Sequence, residues 1–228
     1  MDRENSMEAA KSRLMDAALP HVAFDGWSDA TLRAAISDSA TSAGLARAIF
    51  PRGGVDMALA FHQRGDAAMV ERLAATDLSS LRYRDRIAAG VRLRLEAAVD
   101  KEAVRRAAAL FSLPGHAGDG ARAIWGTADA IWTALGDSSR DLNWYSKRAT
   151  LSAVYATTLL FWLGDASEGH AETWAFLDRR IDQVMQFEKL KAGFRENPLG
   201  KALLAGPLKL LDRIHAPEPA QDLPGRLH

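Results

Sequence analysis

Apolar residues recur along most of the chain at spacings of three and four, the period of an amphipathic α-helix. In the segment from Tyr83 to Phe111, for example, Ile87, Val91 and Leu95 form one apolar stripe. No segment shows the strict alternation of a half-buried β-strand. Glycine and proline, as in Pro114-Gly115, divide the pattern into shorter stretches. The pattern therefore predicts an all-α fold of nine or ten helices.

The first 65 residues predict three short helices, followed by a long fourth helix that starts near Val55. Pro20 interrupts the first pattern, and Ser28 is a suitable N-cap for the second helix. A third helix from about Ser42 to Phe50 is stopped by Pro51. This order resembles the helix-turn-helix domain of TetR-type repressors. The resemblance implies a TetR-like helical bundle and, as the alternative function, a ligand-responsive transcription regulator.

The charge of this region argues against DNA binding. From Phe24 to Asp56 three arginines face four aspartates, a net charge of −1. The segment where a recognition helix is expected carries Arg47 as its single basic residue. Specific DNA binders use several phosphate contacts and additional contacts to base edges. We therefore expect a degenerate helix-turn-helix region with no nucleic-acid partner.

Composition narrows the chemistry further. Lys plus Arg and Asp plus Glu number 29 each, 48% of residues are apolar, and cysteine is absent. The six histidines are far apart and none stands in a spacing that places two metal ligands on one helix face. The sequence contains no nucleophile elbow, phosphate-binding loop or dinucleotide-binding glycine motif. We expect no catalytic residues, no metal site and no cofactor.

The densest group of polar and aromatic side chains opens the helical segment after Gly136. It comprises Asp141, Asn143, Trp144, Tyr145 and Arg148. In isolation, Trp144 and Tyr145 could be core aromatics at the start of a helix. An exposed pair would instead be typical of a protein interface, where Trp and Tyr often act as anchors.

Several segments together resemble one family, the ubiquinone-biosynthesis accessory proteins of mitochondria and α-proteobacteria. They are HVAFDGWS at His21–Ser28, DAIWTALGDSSRDLNWYSKRATLSAVYATT at Asp129–Thr158 and ETWAFLDRRIDQVM at Glu172–Met185. The resemblance implies a TetR-like homodimer that does not bind DNA. It also implies a hydrophobic pocket for phospholipid and isoprenoid quinone intermediates, and delivery of substrate to the di-iron demethoxyubiquinone hydroxylase. In the family, the D-x-N-W-Y segment belongs to the surface that contacts this hydroxylase. The partner-binding residues expected here are Asp141, Asn143, Trp144, Tyr145 and Arg148.

The Trp-rich helical part of the chain supports a lipid site independently of this resemblance, because an apolar chamber between such helices suits a long isoprenoid tail. Ordinary core packing is the alternative for each candidate. The predicted lining residues are Trp132, Leu135, Leu151, Tyr155, Leu159, Trp162, Trp174, Leu177 and Ile181.

The segment 197–216 predicts an amphipathic helix with one apolar and one mostly basic face, as in helices that lie in a membrane interface. Its predicted membrane-binding residues are Leu203, Leu204, Leu208, Leu211, Ile214, Lys201, Lys209 and Arg213. Docking onto the protein's own body or onto a dimer mate is the alternative. The absence of the long N-terminal extension of mitochondrial members favours a bacterial protein in the cytoplasm, peripherally associated with the inner membrane.

These patterns together predict four regions. Residues 1–65 form the degenerate helix-turn-helix region, and residues 66–190 form the helical domain for lipid binding and dimerisation. Residues 197–216 form the membrane-associating helix, and residues 217–228 form a proline-containing, flexible tail.

Overall fold

The structure, a computed structural model, describes residues 2–98 and 100–196 of the 228-residue chain. Within these residues it contains nine α-helices and no β-strand, which confirms the predicted all-α fold. The helices are α1 (Asp2–Asp25), α2 (Asp29–Asp38), α3 (Ala43–Ile49), α4 (Gly54–Ala75), α5 (Tyr83–Glu96), α6 (Lys101–Ser112), α7 (Ala117–Ala134), α8 (Leu142–Gly164) and α9 (Ala171–Glu196).

Local hydrogen bonds set the starts of α2 and α3 where the sequence predicts them. Ser28 Oγ accepts a hydrogen bond from the Thr31 amide at 3.3 Å, and Ser42 Oγ accepts one from the Leu45 amide at 3.2 Å. Each cap pairs an amide that has no partner within its own helix. The long fourth helix begins at Gly54, beside the predicted start at Val55.

Helix α1 corrects the prediction of a short first helix, because it continues through Pro20 to Asp25. Proline lacks the amide hydrogen that would bind the carbonyl of Asp16, four residues earlier. Both residues lie on the exposed side of α1, where water can replace the lost hydrogen bond. Pro20 therefore does not end the helix.

The segment from Tyr83 to Phe111, which the pattern presents as one helical stretch, forms two helices. Asp100 caps α6 by accepting hydrogen bonds from the amides of Glu102, at 2.8 Å, and Ala103, at 3.0 Å. Farther along the chain, α9 continues to Glu196, past its predicted end near Phe187.

The helices pack around two hydrophobic cores that share α4. The first core contains Met57, from the start of α4, together with residues of α1, α2, α3 and α6. Trp27, between α1 and α2, connects this end of the core to α6, because its Nε1 donates a hydrogen bond to the Ala103 carbonyl at 3.0 Å. The second core contains Met69, near the end of α4, and is centred on α5, α7, α8 and α9. Helix α4 therefore connects the N-terminal helices to the larger bundle.

The predicted membrane helix (197–216), with all eight of its candidate membrane-binding residues, lies outside the described residues, as does the predicted tail (217–228). No helix in the part of the chain that the structure describes is both long and apolar enough to cross a bilayer.

Candidate functional site

Helices α4 to α8 line a cavity of about 350 Å³, here called the larger cavity. Much of its wall consists of small residues, including Ala107, Ala108, Gly120, Ala123 and Ala156. Small side chains leave space between packed helices that Leu or Ile would fill. The cavity therefore exists because the helix faces that meet here carry small side chains.

One wall of the larger cavity is polar. His62, Arg94 and Tyr155 line it, although they lie on three different helices. Behind them, Arg94 Nε donates a hydrogen bond to Asp66 Oδ1 at 2.6 Å, and Thr127 Oγ1 donates to the same oxygen at 2.8 Å. His62 Nε2 lies 2.8 Å from Thr127 Oγ1. The five side chains form one polar cluster in an otherwise apolar surround, in which Arg94, Thr127 and Tyr155 are buried and the other two are partly buried.

Burial determines the protonation states in this polar cluster. Desolvation lowers the pKa of His62 to about 4, and the positive charge of Arg94 acts in the same direction, against the opposing effect of Asp66. Desolvation also raises the pKa of Tyr155. At neutral pH the cavity wall therefore presents an uncharged imidazole and a protonated phenol.

Arg94 of α5 is buried, because only 5% of its surface is exposed. Its guanidinium lies against Gly65 of α4, where a Cβ atom would come within 2.6 Å of Arg94 Nη1. The missing side chain of Gly65 gives the guanidinium the space to reach Asp66.

A smaller cavity, of about 200 Å³, lies among α5, α7, α8 and α9. Trp132, Leu151 and Ile181 contribute apolar walls, and Asn143 and Lys147 contribute polar ones. Lys147 Nζ lies 5.4 Å from the centre of the Trp132 ring, within the range of a cation–π contact.

The structure divides the nine predicted lipid-lining residues into three groups. Trp132, Leu151 and Ile181 line the smaller cavity, and Tyr155 and Leu159 line the larger one. The remaining four line neither cavity and belong to the second core or pack against it: Leu135, Trp162, Trp174 and Leu177. Sequence reasoning missed the contribution of α4, α5 and α6, because its candidates came from the Trp-rich part of the chain.

Trp144 and Tyr145 are half-buried and belong to a three-membered aromatic patch. Their ring centroids lie 4.8 Å apart, and the Trp125 ring of α7 lies 5.9 Å from Trp144 and 6.5 Å from Tyr145. The sequence identified the first two residues but not Trp125 as a member of this patch. Nothing in the linear pattern places residue 125 beside residues 144 and 145, since only the packing of α7 on α8 does so.

Arg148, predicted as part of the partner-binding surface, is only 2% exposed and positions its neighbours. Its Nε donates a hydrogen bond to Asp129 Oδ1 at 2.5 Å, and its Nη1 donates to Asp137 Oδ2 at 3.2 Å. The guanidinium lies 4.0 Å from the centre of the Trp144 ring. The Arg148 side chain therefore packs against the Trp144 ring and fixes its position.

The carboxylate of Asp137 anchors the same network. Burial opposes its ionisation, but hydrogen bonds from Lys147, Ser139 and Arg148 outweigh that effect and lower its pKa to about 2. An ionised Asp137 balances the buried charge of Arg148. The start of α8 is thereby fixed against the end of α7.

Asp141 and Asn143 lie at the exposed edge of the patch. Asp141 is the N-cap of α8, because its Oδ1 accepts a hydrogen bond from the Asn143 amide at 3.0 Å. Its other carboxylate oxygen accepts a hydrogen bond from Asn143 Nδ2 at 3.1 Å. The two polar side chains therefore stand beside the aromatic rings, at the solvent-facing end of the helix.

Comparison with solved structures supports the fold. A TetR transcriptional regulator from Nitrosomonas europaea superposes with a TM-score of 0.62 and 20% sequence identity, over 76% of this chain and 96% of that one. At this identity the likeness shows a shared fold, which confirms the TetR-like architecture, and says nothing about DNA binding.

Comparison of sequences identifies the relatives. The COQ9 family model matches residues 117–188, which include α7, α8 and most of α9. The mitochondrial ubiquinone biosynthesis protein COQ9 of Drosophila melanogaster is 32% identical over 196 residues, covering 82% of this chain and 59% of that protein. The human COQ9 protein is 28% identical over 212 residues, covering 88% of this chain and 65% of its own length.

The chain thus spans less than two thirds of the length of these relatives. The family match covers α8, which begins within the D-x-N-W-Y segment. The longer alignments extend the similarity over most of the chain. The sequence similarity and the TetR-like fold agree with the resemblance noted in the D-x-N-W-Y segment. The chain is therefore a homologue of the COQ9 ubiquinone biosynthesis proteins.

Proposed function

We propose that this protein is a lipid-binding accessory protein of ubiquinone biosynthesis, which carries isoprenoid quinone intermediates to the di-iron demethoxyubiquinone hydroxylase. The relatives' role in ubiquinone biosynthesis supports the pathway. The single observation that carries lipid binding is the larger cavity between α4 and α8. The protein would present the lipid, and the hydroxylase would perform the oxidation.

The larger cavity has the properties of a small-molecule site. Its volume of about 350 Å³ falls within the range of about 300–1,000 Å³ that is usual for ligand pockets. Its wall combines mostly apolar side chains with a single polar cluster at His62, Arg94 and Tyr155. Each CH₂ group of an isoprenoid tail moved from water into such a wall contributes about 0.8 kcal/mol.

The aromatic patch is the proposed contact surface for the hydroxylase. Trp144 and Tyr145 are partly accessible, and Trp125 supports both rings. Arg148 holds Trp144 in place, which reduces the entropy lost on binding a partner. Asp141 and Asn143 supply exposed polar groups at the rim, the usual arrangement around interface anchors.

We further propose a homodimer that meets the membrane surface through the amphipathic segment 197–216. A basic face opposite an apolar one favours shallow insertion among anionic phospholipids. Lipid could then pass from the bilayer into the larger cavity without the chain spanning the membrane. The cell compartment follows from the membrane that holds the quinone pool, which we propose is the bacterial inner membrane.

Mass spectrometry of organic extracts tests the lipid site. The protein purified from a quinone-producing bacterium is expected to carry an isoprenoid quinone precursor, and Ala156→Phe, which fills the larger cavity, should reduce its amount at least fivefold. Ala153→Phe, on the exposed side of the same helix, is the matched control and should retain the lipid. Equal lipid content in both variants, or no lipid in the unmodified protein, would contradict the assignment.

Co-purification with the hydroxylase tests the contact surface. Trp144→Ala is expected to weaken the complex at least tenfold, because truncating an interface anchor typically costs about 2 kcal/mol or more. Phe24→Ala removes another exposed aromatic side chain, far along the chain in α1, and should leave the complex intact. Both variants must retain the helical circular dichroism of the parent. Undiminished binding by Trp144→Ala would remove the patch from the interface.

A further inference from the structure

The hydrogen bonds around His62 determine which of its ring nitrogens carries the proton. Nε2 lies 3.2 Å from the carbonyl oxygen of Ala123, which can only accept a hydrogen bond. It also lies 2.8 Å from Thr127 Oγ1, whose own hydrogen is directed to Asp66 Oδ1. Both neighbours therefore require a donor, so the proton of the neutral imidazole is on Nε2.

Nδ1 consequently holds a free lone pair. Among the described residues, no hydrogen bond reaches it, and the His62 side chain lines the larger cavity. The charged and titratable groups around the ring are Asp66, Arg94 and Tyr155. Burial keeps the imidazole unprotonated at neutral pH, so Nδ1 remains an acceptor there.

We propose that His62 selects lipids with a free phenolic hydroxyl, by accepting its hydrogen bond at Nδ1. This inference rests on the proposed function, since it assigns the head group of the lipid in the larger cavity. A hydroxyl can donate to Nδ1 and at the same time accept from the neighbouring Arg94. A quinone carbonyl or a methyl ether only accepts, and would leave Nδ1 without a partner once the lipid fills the cavity.

The chemistry of this wall therefore favours the phenol and hydroquinone forms of a prenylated ring over the oxidised quinone. Thr127 and Asp66 hold the imidazole in the required tautomer and act as positioning residues. The apolar remainder of the cavity is indifferent to the redox state of the ring. Arg94 only donates, so it can serve a hydroxyl oxygen and a carbonyl oxygen alike, and the discrimination is assigned to His62.

Binding of two air-stable probes tests this selection: 4-decylphenol and its methyl ether, 4-decylanisole. The two share one tail and differ in the hydrogen that can reach Nδ1. Titrations followed by tryptophan fluorescence are expected to show the phenol binding about 3- to 10-fold more tightly, the value of one net hydrogen bond. Equal affinities would overturn the selection while leaving lipid binding intact, whereas no binding of either probe would overturn both.

Two variants locate the effect at Nδ1. His62→Gln places its amide near the position of Nε2 and lacks an acceptor at Nδ1, so it should bind both probes with the affinity of the anisole. His62→Asn places an amide oxygen near Nδ1 and should restore the preference for the phenol. A phenol preference that persists in His62→Gln would overturn the assignment. Because the comparison of the two probes on the unmodified protein needs no variant, a poorly folded variant does not remove the test.

Discussion

Single side chains of opposite chemical character define the larger cavity. Alanine and glycine create its volume, while His62 and Arg94 give one wall its polarity. Burying Arg94 is tolerable because Asp66 accepts its hydrogen bond and Gly65 leaves space for the guanidinium. A buried charge with this much support is fixed in position, which a recognition site requires.

Acid stability depends on His62. Its pKa is about 4 in the folded state, against about 6.5 in the unfolded chain, so below pH 6.5 protons bind preferentially to the unfolded chain. The folded state therefore loses stability as the pH falls from 6.5 to 4, by about 3 kcal/mol for this shift. Below pH 4 the loss is complete.

Urea unfolding at a series of pH values measures this effect. The free energy of unfolding of the unmodified protein should fall more steeply between pH 6.5 and 4 than that of His62→Gln, whose side chain does not titrate. At pH 7 the variant provides its own baseline for the loss of packing. Parallel pH profiles would show that the fold does not desolvate the His62 imidazole as described.

At the scale of elements, the helix caps show where sequence reasoning is reliable. Ser28 and Ser42 act within three residues of themselves, so their hydrogen bonds depend little on the rest of the fold. Pro20 shows the converse. Whether a proline ends a helix depends on which side of it faces solvent, and packing decides that for α1.

Helix α3 retains the position of a recognition helix without its chemistry. Its exposed residues are small or apolar apart from Arg47. Arg52, another of the three arginines in this region, forms ion pairs with Asp56 at 2.8 Å and Asp119 at 2.9 Å. Few cations are therefore available to DNA phosphates.

An electrophoretic mobility-shift assay with mixed-sequence duplex DNA tests this conclusion. We expect no shift at micromolar protein and about 50 mM salt, where phosphate-contacting proteins bind without sequence preference. A shift that weakens with added salt and is abolished by Arg47→Ala would restore the transcription-regulator alternative.

The whole molecule depends on α4, which contributes to both cores and carries His62 and Asp66 between them. The larger cavity lies along this helix, where α5 to α8 complete its wall. The aromatic patch lies instead on α7 and α8, which also contribute to that wall. Two helices thus connect the proposed lipid site to the proposed contact surface.

The sequence by itself determined the helical class, the N-cap of α2, the start of α3, the D-x-N-W-Y segment and the family resemblance. These features reside in local periodicity, in short-range hydrogen bonds or in contiguous motifs, so no knowledge of the packing was needed. It also identified Trp144 and Tyr145, because they are adjacent in the chain.

Only the tertiary structure decided where the cavities lie and what lines them. Trp162 and Leu177 look like lining residues on a helical stripe but face the core, while small residues of α6 and α7 leave the space. The polar cluster joins His62, Arg94, Thr127 and Tyr155, which lie on four helices. The aromatic patch joins Trp125 of α7 to the rings at the start of α8. Such contacts depend on how helices pack, and a void is a property of several faces together, which no single stretch of sequence contains.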